Sequence, residues 1–265
     1  MTSHSAVVLT IAGFDPSGGA GIIADVRTIV QFGCRPAAAI TSLTFQNSEG
    51  VFGATHESAK SLRAQIIPIV EEAKVDAVKV GMLPTAELIL EVAYLIREGR
   101  LPPPVLDPVL KSSSGYELIE RDAVEVLKRE LLPLAHVITP NIPEAETLTA
   151  TTISNEAEMR EAAAKLRAMG ARSVLIKGGH LMPESGLRSQ QSNERYAVDV
   201  LDDEGEVAMF RGAWIDAPPV RGTGCLLSSA IAACLATGAD LKAAVNSARK
   251  FVADEIQNSK FKTQT

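Results

Sequence analysis

A chain of 265 residues can form one large α/β domain or two small ones, and at 46% hydrophobic and 22% charged residues it can bury a substantial core. That composition excludes a disordered or low-complexity chain. A net charge of −6 argues against nucleic-acid binding through a general basic surface, while leaving room for a local phosphate pocket.

Cys34, Cys225 and Cys234 are odd in number and widely spaced, so they build neither a disulfide framework nor a zinc site. No apolar run approaches the ~20 residues of a membrane span. The apolar segment 7–12 is too short for a signal peptide and has no basic flank. The expectation is a soluble cytoplasmic protein with no membrane or nucleic-acid partner.

In chain order, short apolar runs alternate with longer helical patterns. A strand is predicted at 7–12, a helix at 20–33, a strand at 37–43 and a helix at 57–73. The same alternation continues with strand 76–80, helix 85–99, strand 104–107, helix 120–131, strand 136–139, helix 156–170 and strand 173–177. Such runs suit parallel strands covered on both faces, and hence an α/β fold with a mostly parallel sheet between helices. Beyond Lys177 the pattern changes. Residues 183–193 are polar and aperiodic, which predicts a loop. Strands at 195–201 and 206–210 flank the turn segment 202–205 as a hairpin, and helices follow at 224–236 and 241–258. No linker or repeat divides the chain, so one domain over 1–265 is expected.

In open α/β sheets ligands bind beyond the carboxyl ends of the strands. The first such loop is Gly13-Phe14-Asp15-Pro16-Ser17-Gly18-Gly19-Ala20-Gly21. It contains Gly19-x-Gly21-x-x-Ala24, a formal dinucleotide-binding match. Six residues separate the predicted strand from that match and no acid ends the second strand, so an NAD-dependent oxidoreductase is disfavoured. Asp25 borders the stripe of Ile22, Val26 and Ile29 on its helix; it is either a solvated surface acid or a site carboxylate. Gln46 and Asn47 follow the second strand as turn formers or as amides reading a heterocycle.

The strongest local signal is Arg221-Gly222-Thr223-Gly224-Cys225-Leu226, glycines that open directly into a helix. Free amides and the positive end of the helix dipole make an anion site there; the plain alternative is a structural turn. No Lys-Ser or Lys-Thr follows, so it is not a P-loop of the Walker type. Asp107-Pro108, Thr139-Pro140-Asn141-Ile142-Pro143-Glu144 and Lys177-Gly178-Gly179-His180 each close a strand. Oxygen ligands, a lysine and an anion loop at successive strand ends are what a magnesium–nucleotide phosphate needs.

Taken together, these stretches, with Lys79-Val80-Gly81-Met82-Leu83 and Leu106-Asp107-Pro108-Val109, resemble the hydroxymethylpyrimidine/phosphomethylpyrimidine kinases, in family order over nearly the whole chain. The resemblance implies a ribokinase-like fold that uses ATP as co-substrate, with Mg²⁺ as cofactor, in a homodimer. It implies two successive phosphoryl transfers in thiamine biosynthesis, to 4-amino-5-hydroxymethyl-2-methylpyrimidine and then to its monophosphate. Position by position, Gly13, Asp25, Gln46 and Met82 would line the pyrimidine pocket. Asp107, Asn141 and Lys177 would hold the phosphates, with Glu144 and Asp107 at the metal. Gly222, Thr223 and Gly224 would form the anion hole, and Cys225 would stand where sugar kinases carry an aspartate base, its thiol pKa lowered by the helix start.

Two features depart from the family pattern. Val220-Arg221 replace the usual Thr-His, which bears on the grip on the donor phosphates, and the chain ends at Lys262-Thr263-Gln264-Thr265 without a Gly- and His-containing tail. A pyridoxal kinase of the same fold and a non-catalytic pyrimidine-binding module are the alternative readings.

Overall fold

Valine-, isoleucine- and leucine-rich runs form the strands, and the amphipathic segments between them form the helices. The computed structural model describes residues 5–179, 196–215 and 220–262. In order they are β1 (Val7–Phe14), α1 (Gly21–Gln31), β2 (Arg35–Gln46), β3 (Val51–His56), α2 (Ala59–Glu72), β4 (Ala77–Val80), α3 (Ala86–Arg97) and β5 (Val105–Leu106). Then come α4 (Arg121–Val126), β6 (Val137–Ile138), α5 (Ile142–Thr149), α6 (Glu156–Ala168), β7 (Ser173–Lys177), β8 (Tyr196–Asp203), β9 (Glu206–Ala213), α7 (Thr223–Ala236) and α8 (Leu241–Lys262).

The described strands form one sheet in the order β3-β2-β1-β4-β5-β6-β7-β8-β9. Strands β2, β1, β4, β5, β6 and β7 run parallel, as the strand–helix alternation predicts, and β3, β8 and β9 are antiparallel additions at the two edges. The β8–β9 hairpin turns on Glu204 (φ 52) and Gly205 (φ 102), the pair of positive φ values a tight two-residue hairpin needs.

Side-chain alternation divides the core between the faces. Val7, Leu9 and Ile11 of β1 join the layer that contains residues of α2, α3, α5 and α6, whereas Val8 joins the layer that contains residues of α1, α7 and α8. Both layers are closely filled, so a polar side chain on either face must find its partners inside the protein.

Several boundaries differ from the sequence-based expectation. Strand β2 runs on through Gln46, so this residue ends a strand instead of following one. Strand β3 was not expected, because Val51-Phe-Gly-Ala-Thr-His is short, interrupted by glycine and only partly buried. Helix α5 was read only as a helix start. The helix predicted over 120–131 is α-helical only to Val126; it widens into a π-turn at Leu127–Leu131 and tightens at Leu132–Leu134, where Pro133 cannot donate a helical bond. The predicted loop 183–193, His180, Arg195 and the last three residues lie outside the described residues. Among the described residues, no helix is long and apolar enough to cross a membrane.

Candidate active site

The same alternation that sorts the core also sorts the polar residues at the strand ends. Val78 and Val80 face one layer and Ala77 the other, so Lys79 points towards α1 and α7. Asp107 follows Leu106, Thr139 follows Ile138 and Lys177 follows Ile176, and each falls on that same face. Thr10, between Leu9 and Ile11, is the register partner of Lys79. The start of α7 lies above this row.

Two buried ion pairs organise it. Lys79 Nζ lies 3.0 and 2.8 Å from the two carboxylate oxygens of Asp25, and both residues are fully buried. Thr10 Oγ1 donates to Asp25 Oδ2 at 2.6 Å and Ser229 Oγ to Oδ1 at 2.8 Å. Asp25 is therefore not a solvated surface acid. Its roughly four acceptor positions are taken by protein donors. No oxygen of Asp25 is left free for the pyrimidine contact expected of it. Burial alone would lower the Lys79 pKa, but Asp25, Cys225 and Asp107 outweigh it and hold the ammonium above its ordinary value.

The second pair is Lys177 with Asp107, Nζ to Oδ1 at 2.8 Å. Thr139 Oγ1 donates to the same oxygen at 3.3 Å, and Ser228 Oγ reaches Oδ2 at 3.5 Å. Consecutive serines of α7 thus divide between the two carboxylates. Burial lowers and Asp107 and Glu144 raise the Lys177 pKa, with a net rise.

Helix α7 opens at Gly222 with no side-chain cap and no acid in its first turn, so its leading amides and dipole are presented to the cleft. Gly222 has φ 75, and a Cβ there would stand 2.2 Å from the Gly19 carbonyl oxygen. The first and last glycine loops are therefore in direct backbone contact. A Cβ on Gly224 would come within 3.2 Å of Lys177 Nζ, so the missing side chain keeps the ammonium next to the helix start. Asp15 braces the first loop, accepting from the Ser17 amide at 2.8 Å and the Ala20 amide at 2.9 Å. Gly13 and Met82, both expected in the acceptor pocket, are neighbours: a Cβ on Gly13 would meet Met82 Sδ at 2.9 Å.

Cys225 lies in the first turn of α7, and the Gly21 amide bonds its sulfur. The expected lowering of its pKa does not occur. Burial, aided by Asp25 and Asp107, outweighs Lys79 and that amide, and pushes the thiol up to about 11. At neutral pH the sulfur keeps its proton.

Asn141 and Glu144 form a capping box at the start of α5. Asn141 Oδ1 accepts from the Glu144 amide at 2.9 Å, and Glu144 Oε2 from the Asn141 amide at 2.7 Å. Burial, with Asp107, raises the Glu144 pKa to about 7 against the pull of Lys177 and the backbone amides. Among the described residues no group of three or more His, Cys, Asp or Glu side chains is placed to hold a metal. The donor set suits a magnesium ion that takes one carboxylate oxygen and completes its shell with phosphates and water. Asp107 Oδ2, which among the described residues accepts only the long contact from Ser228, has that capacity.

Lys79, Thr10, Thr139, Ser228, Ser229 and Arg221 were not assigned from the sequence. A lone lysine in a strand buried on both faces, and two serines in an apolar helix, were the available signals.

The phosphomethylpyrimidine kinase family model matches residues 15–264. The chain belongs to the phosphomethylpyrimidine kinase family. As a member of this family it is a kinase, a phosphotransferase on the ribokinase-like fold. It is 42% identical over 94% of its length to the thiamine biosynthesis bifunctional protein ThiED of Geobacter sulfurreducens, of which it spans 49%. The phosphomethylpyrimidine kinase of Clostridium difficile superposes with a TM-score of 0.81 at 37% identity, covering 95% of this chain and all of that one. The pyridoxal kinase of Bacillus subtilis, solved as an ADP complex, gives 0.80 at 35% identity, over 94% of this chain and 90% of that one.

Proposed function

We propose that this phosphomethylpyrimidine kinase family member transfers the γ-phosphoryl group of ATP to the hydroxymethyl group of 4-amino-5-hydroxymethyl-2-methylpyrimidine, and then phosphorylates the monophosphate, for thiamine biosynthesis. One observation carries the reading: the uncapped start of α7 stands over Lys177 and Asp107 on one side, and on the other its Cys225 sulfur takes the amide of Gly21, which is packed against the carbonyl of Gly13, the neighbour of Met82. Phosphates of the donor fit the first side, and the acceptor ring fits the second.

Phosphoryl transfer passes through a loose transition state in which positioning and charge stabilisation provide most of the catalysis. The amides of Gly222, Thr223, Gly224 and Cys225 would hold the equatorial oxygens, and Lys177 would offset the charge that develops on them. Asp107, with Glu144 behind it, would hold Mg²⁺, which supplies neutralising charge on the nucleotide phosphates when bound; Asn141 would lie beside them. Gly13, Gln46 and Met82 would line the acceptor pocket.

With its proton held at neutral pH, Cys225 is best suited to orient the acceptor hydroxyl. Lys79 below it favours the thiolate if the sulfur takes the proton as the oxygen–phosphorus bond forms. Cys225→Ala should then lower turnover far more than it lowers ATP or pyrimidine affinity, and Cys225→Asp should retain more turnover than Ala. Equal chemistry-limited rates for wild type and the Ala variant would leave the amide-lined turn as the main device.

The decisive assay separates mono- from diphosphate product with ATP, Mg²⁺ and the hydroxymethylpyrimidine, run beside pyridoxal. The second reading, a pyridoxal kinase, is favoured by the likeness to the Bacillus subtilis enzyme. Turnover of pyridoxal alone would establish it in place of the first.

A further inference from the structure

Arg221 immediately precedes the anion turn, yet its guanidinium is directed away from it. Nη2 donates to Gln46 Oε1 at 2.7 Å, and Nη1 donates to the Asn47 carbonyl. Nη1 also reaches Ser17 Oγ at 3.5 Å, and Nη2 lies 3.5 Å from Asp15 Oδ2. One side chain therefore joins the loop after β1, the end of β2 and the turn before α7. The Arg221 of the Val220-Arg221 departure thus reaches Gln46, the residue expected in the acceptor pocket.

The chemistry of arginine makes this contact informative. A guanidinium has five donors and no acceptor, so the Gln46 atom facing it must be the carbonyl oxygen. The amide orientation, otherwise ambiguous, is settled by the partner. Gln46 also sits at a register shift in the β2–β3 pairing, between Phe45 and Gln46, an irregularity that re-aims the strand's last side chain. Its oxygen is committed, and among the described residues its Nε2 donates to no group.

We propose that Arg221 is a positioning residue that fixes the polarity of the acceptor pocket. It holds the Gln46 carbonyl and leaves the amide N–H₂ to the bound ring, so the pocket selects a heteroaromatic ring presenting a hydrogen-bond acceptor, such as an unprotonated ring nitrogen, at that edge. This rests on the proposed placement of Gln46 in the acceptor pocket. An acceptor-free edge would cover this donor and leave it unpaired, and that mismatch rejects it.

The test is a double-mutant cycle of Arg221→Met and Gln46→Leu, read as KM for the pyrimidine, KM for ATP and kcat. Arg221→Met should raise the pyrimidine KM roughly 10-fold, the effect of about one charge-assisted hydrogen bond, with smaller changes in kcat and in the KM for ATP. Added to Gln46→Leu, it should raise the pyrimidine KM no further. A carbon-for-nitrogen ring analogue should lose its disadvantage in Arg221→Met, and Arg221→Lys, which keeps fewer donors, should fall between. Multiplying effects of the two substitutions, or a rise confined to the KM for ATP, would overturn the inference.

Failure of the proposed function shows in the wild type before any variant is made. If only pyridoxal is turned over, the same cycle runs with pyridoxal. If neither is, the ¹⁵N relaxation of the Gln46 side-chain amide decides without substrate. A rigid amide in the wild type that becomes mobile in Arg221→Met upholds Arg221 as the residue that positions Gln46, and a mobile one in the wild type overturns it.

Discussion

Asp25–Lys79 and Asp107–Lys177 are the same chemical pair, on the same face of one sheet, each joined by one of two consecutive serines of α7. Both close to 2.8 Å. They differ in exposure and saturation. The side chains of Asp25 and Lys79 are 0% exposed and every oxygen of Asp25 is used, whereas Lys177 is 13% exposed and Asp107 keeps an oxygen with one long contact. A saturated, sealed pair has no hydrogen-bonding position left for a ligand. An unsaturated pair at the cleft can exchange a partner for a ligand. Burial alone therefore does not separate scaffold from chemistry at these strand ends; spare hydrogen-bonding capacity does.

The largest effect should come from breaking the sealed pair. Lys79→Met leaves the Asp25 carboxylate buried and uncompensated, a loss of about 3–5 kcal/mol in urea unfolding. Adding Asp25→Leu should recover much of it. A single-variant loss under ~1 kcal/mol would mean that the pair is not sealed.

Breaking the open pair should instead fall on chemistry. Lys177→Met is expected to reduce turnover roughly 10²–10³-fold, the scale of losing a positioned charge stabiliser, while destabilising less than Lys79→Met. A variant that melts early but turns over at the wild-type rate would reverse the assignment.

Glu144 sharpens the contrast, because it neighbours the open pair. Its carboxyl ordinarily titrates at 4.5 and in the fold at about 7. Between those values the folded state keeps a proton that the unfolded state has lost. Stability therefore falls as pH rises through that window, and the loss is complete above about 7. Glu144→Gln, which can still cap the helix, should flatten the slope and be the more stable protein at alkaline pH, by at most ~3 kcal/mol. Parallel stability–pH curves for the two proteins between acid and alkaline pH would remove this role.

The smallest effects come from the serines. Ser229→Ala removes a 2.8 Å bond to a buried carboxylate and should lower stability by ~1–3 kcal/mol; Ser228→Ala removes a 3.5 Å contact to Asp107 and a 2.9 Å bond to the Gly224 carbonyl within its own helix, and should lower it by less than ~1 kcal/mol. The reverse order in thermal or urea unfolding would contradict the difference in saturation.

The sequence made the frame legible because period-2 apolar runs and glycine loops are local signals. Parallel strands, the β8–β9 hairpin and the helix opening at Gly222 all follow from them. It was less informative wherever the deciding partner is distant. Asp25 looks like a borderline surface acid until Lys79, 54 residues away, is brought beside it. Cys225 looks activated by its helix start until the surrounding burial and carboxylates are counted. Lys79 itself was readable: a lysine between Val78 and Val80 in a doubly covered strand must have an acid opposite. Strand β3 gave no such signal, since none of its six positions is buried.

The contacts between Ser229 and Asp25 and between Arg221 and Ser17 each join residues 204 positions apart. Such long closures form late and slow folding. During synthesis, which releases the N-terminal part first, β1, α1 and the first glycine loop must wait for α7 before Asp25 and Lys79 are covered. Until then a nascent chain carries an exposed ion pair and an open apolar face. Recovery of activity on refolding should therefore trail the return of helical signal, and would time the docking of α7 onto the sheet.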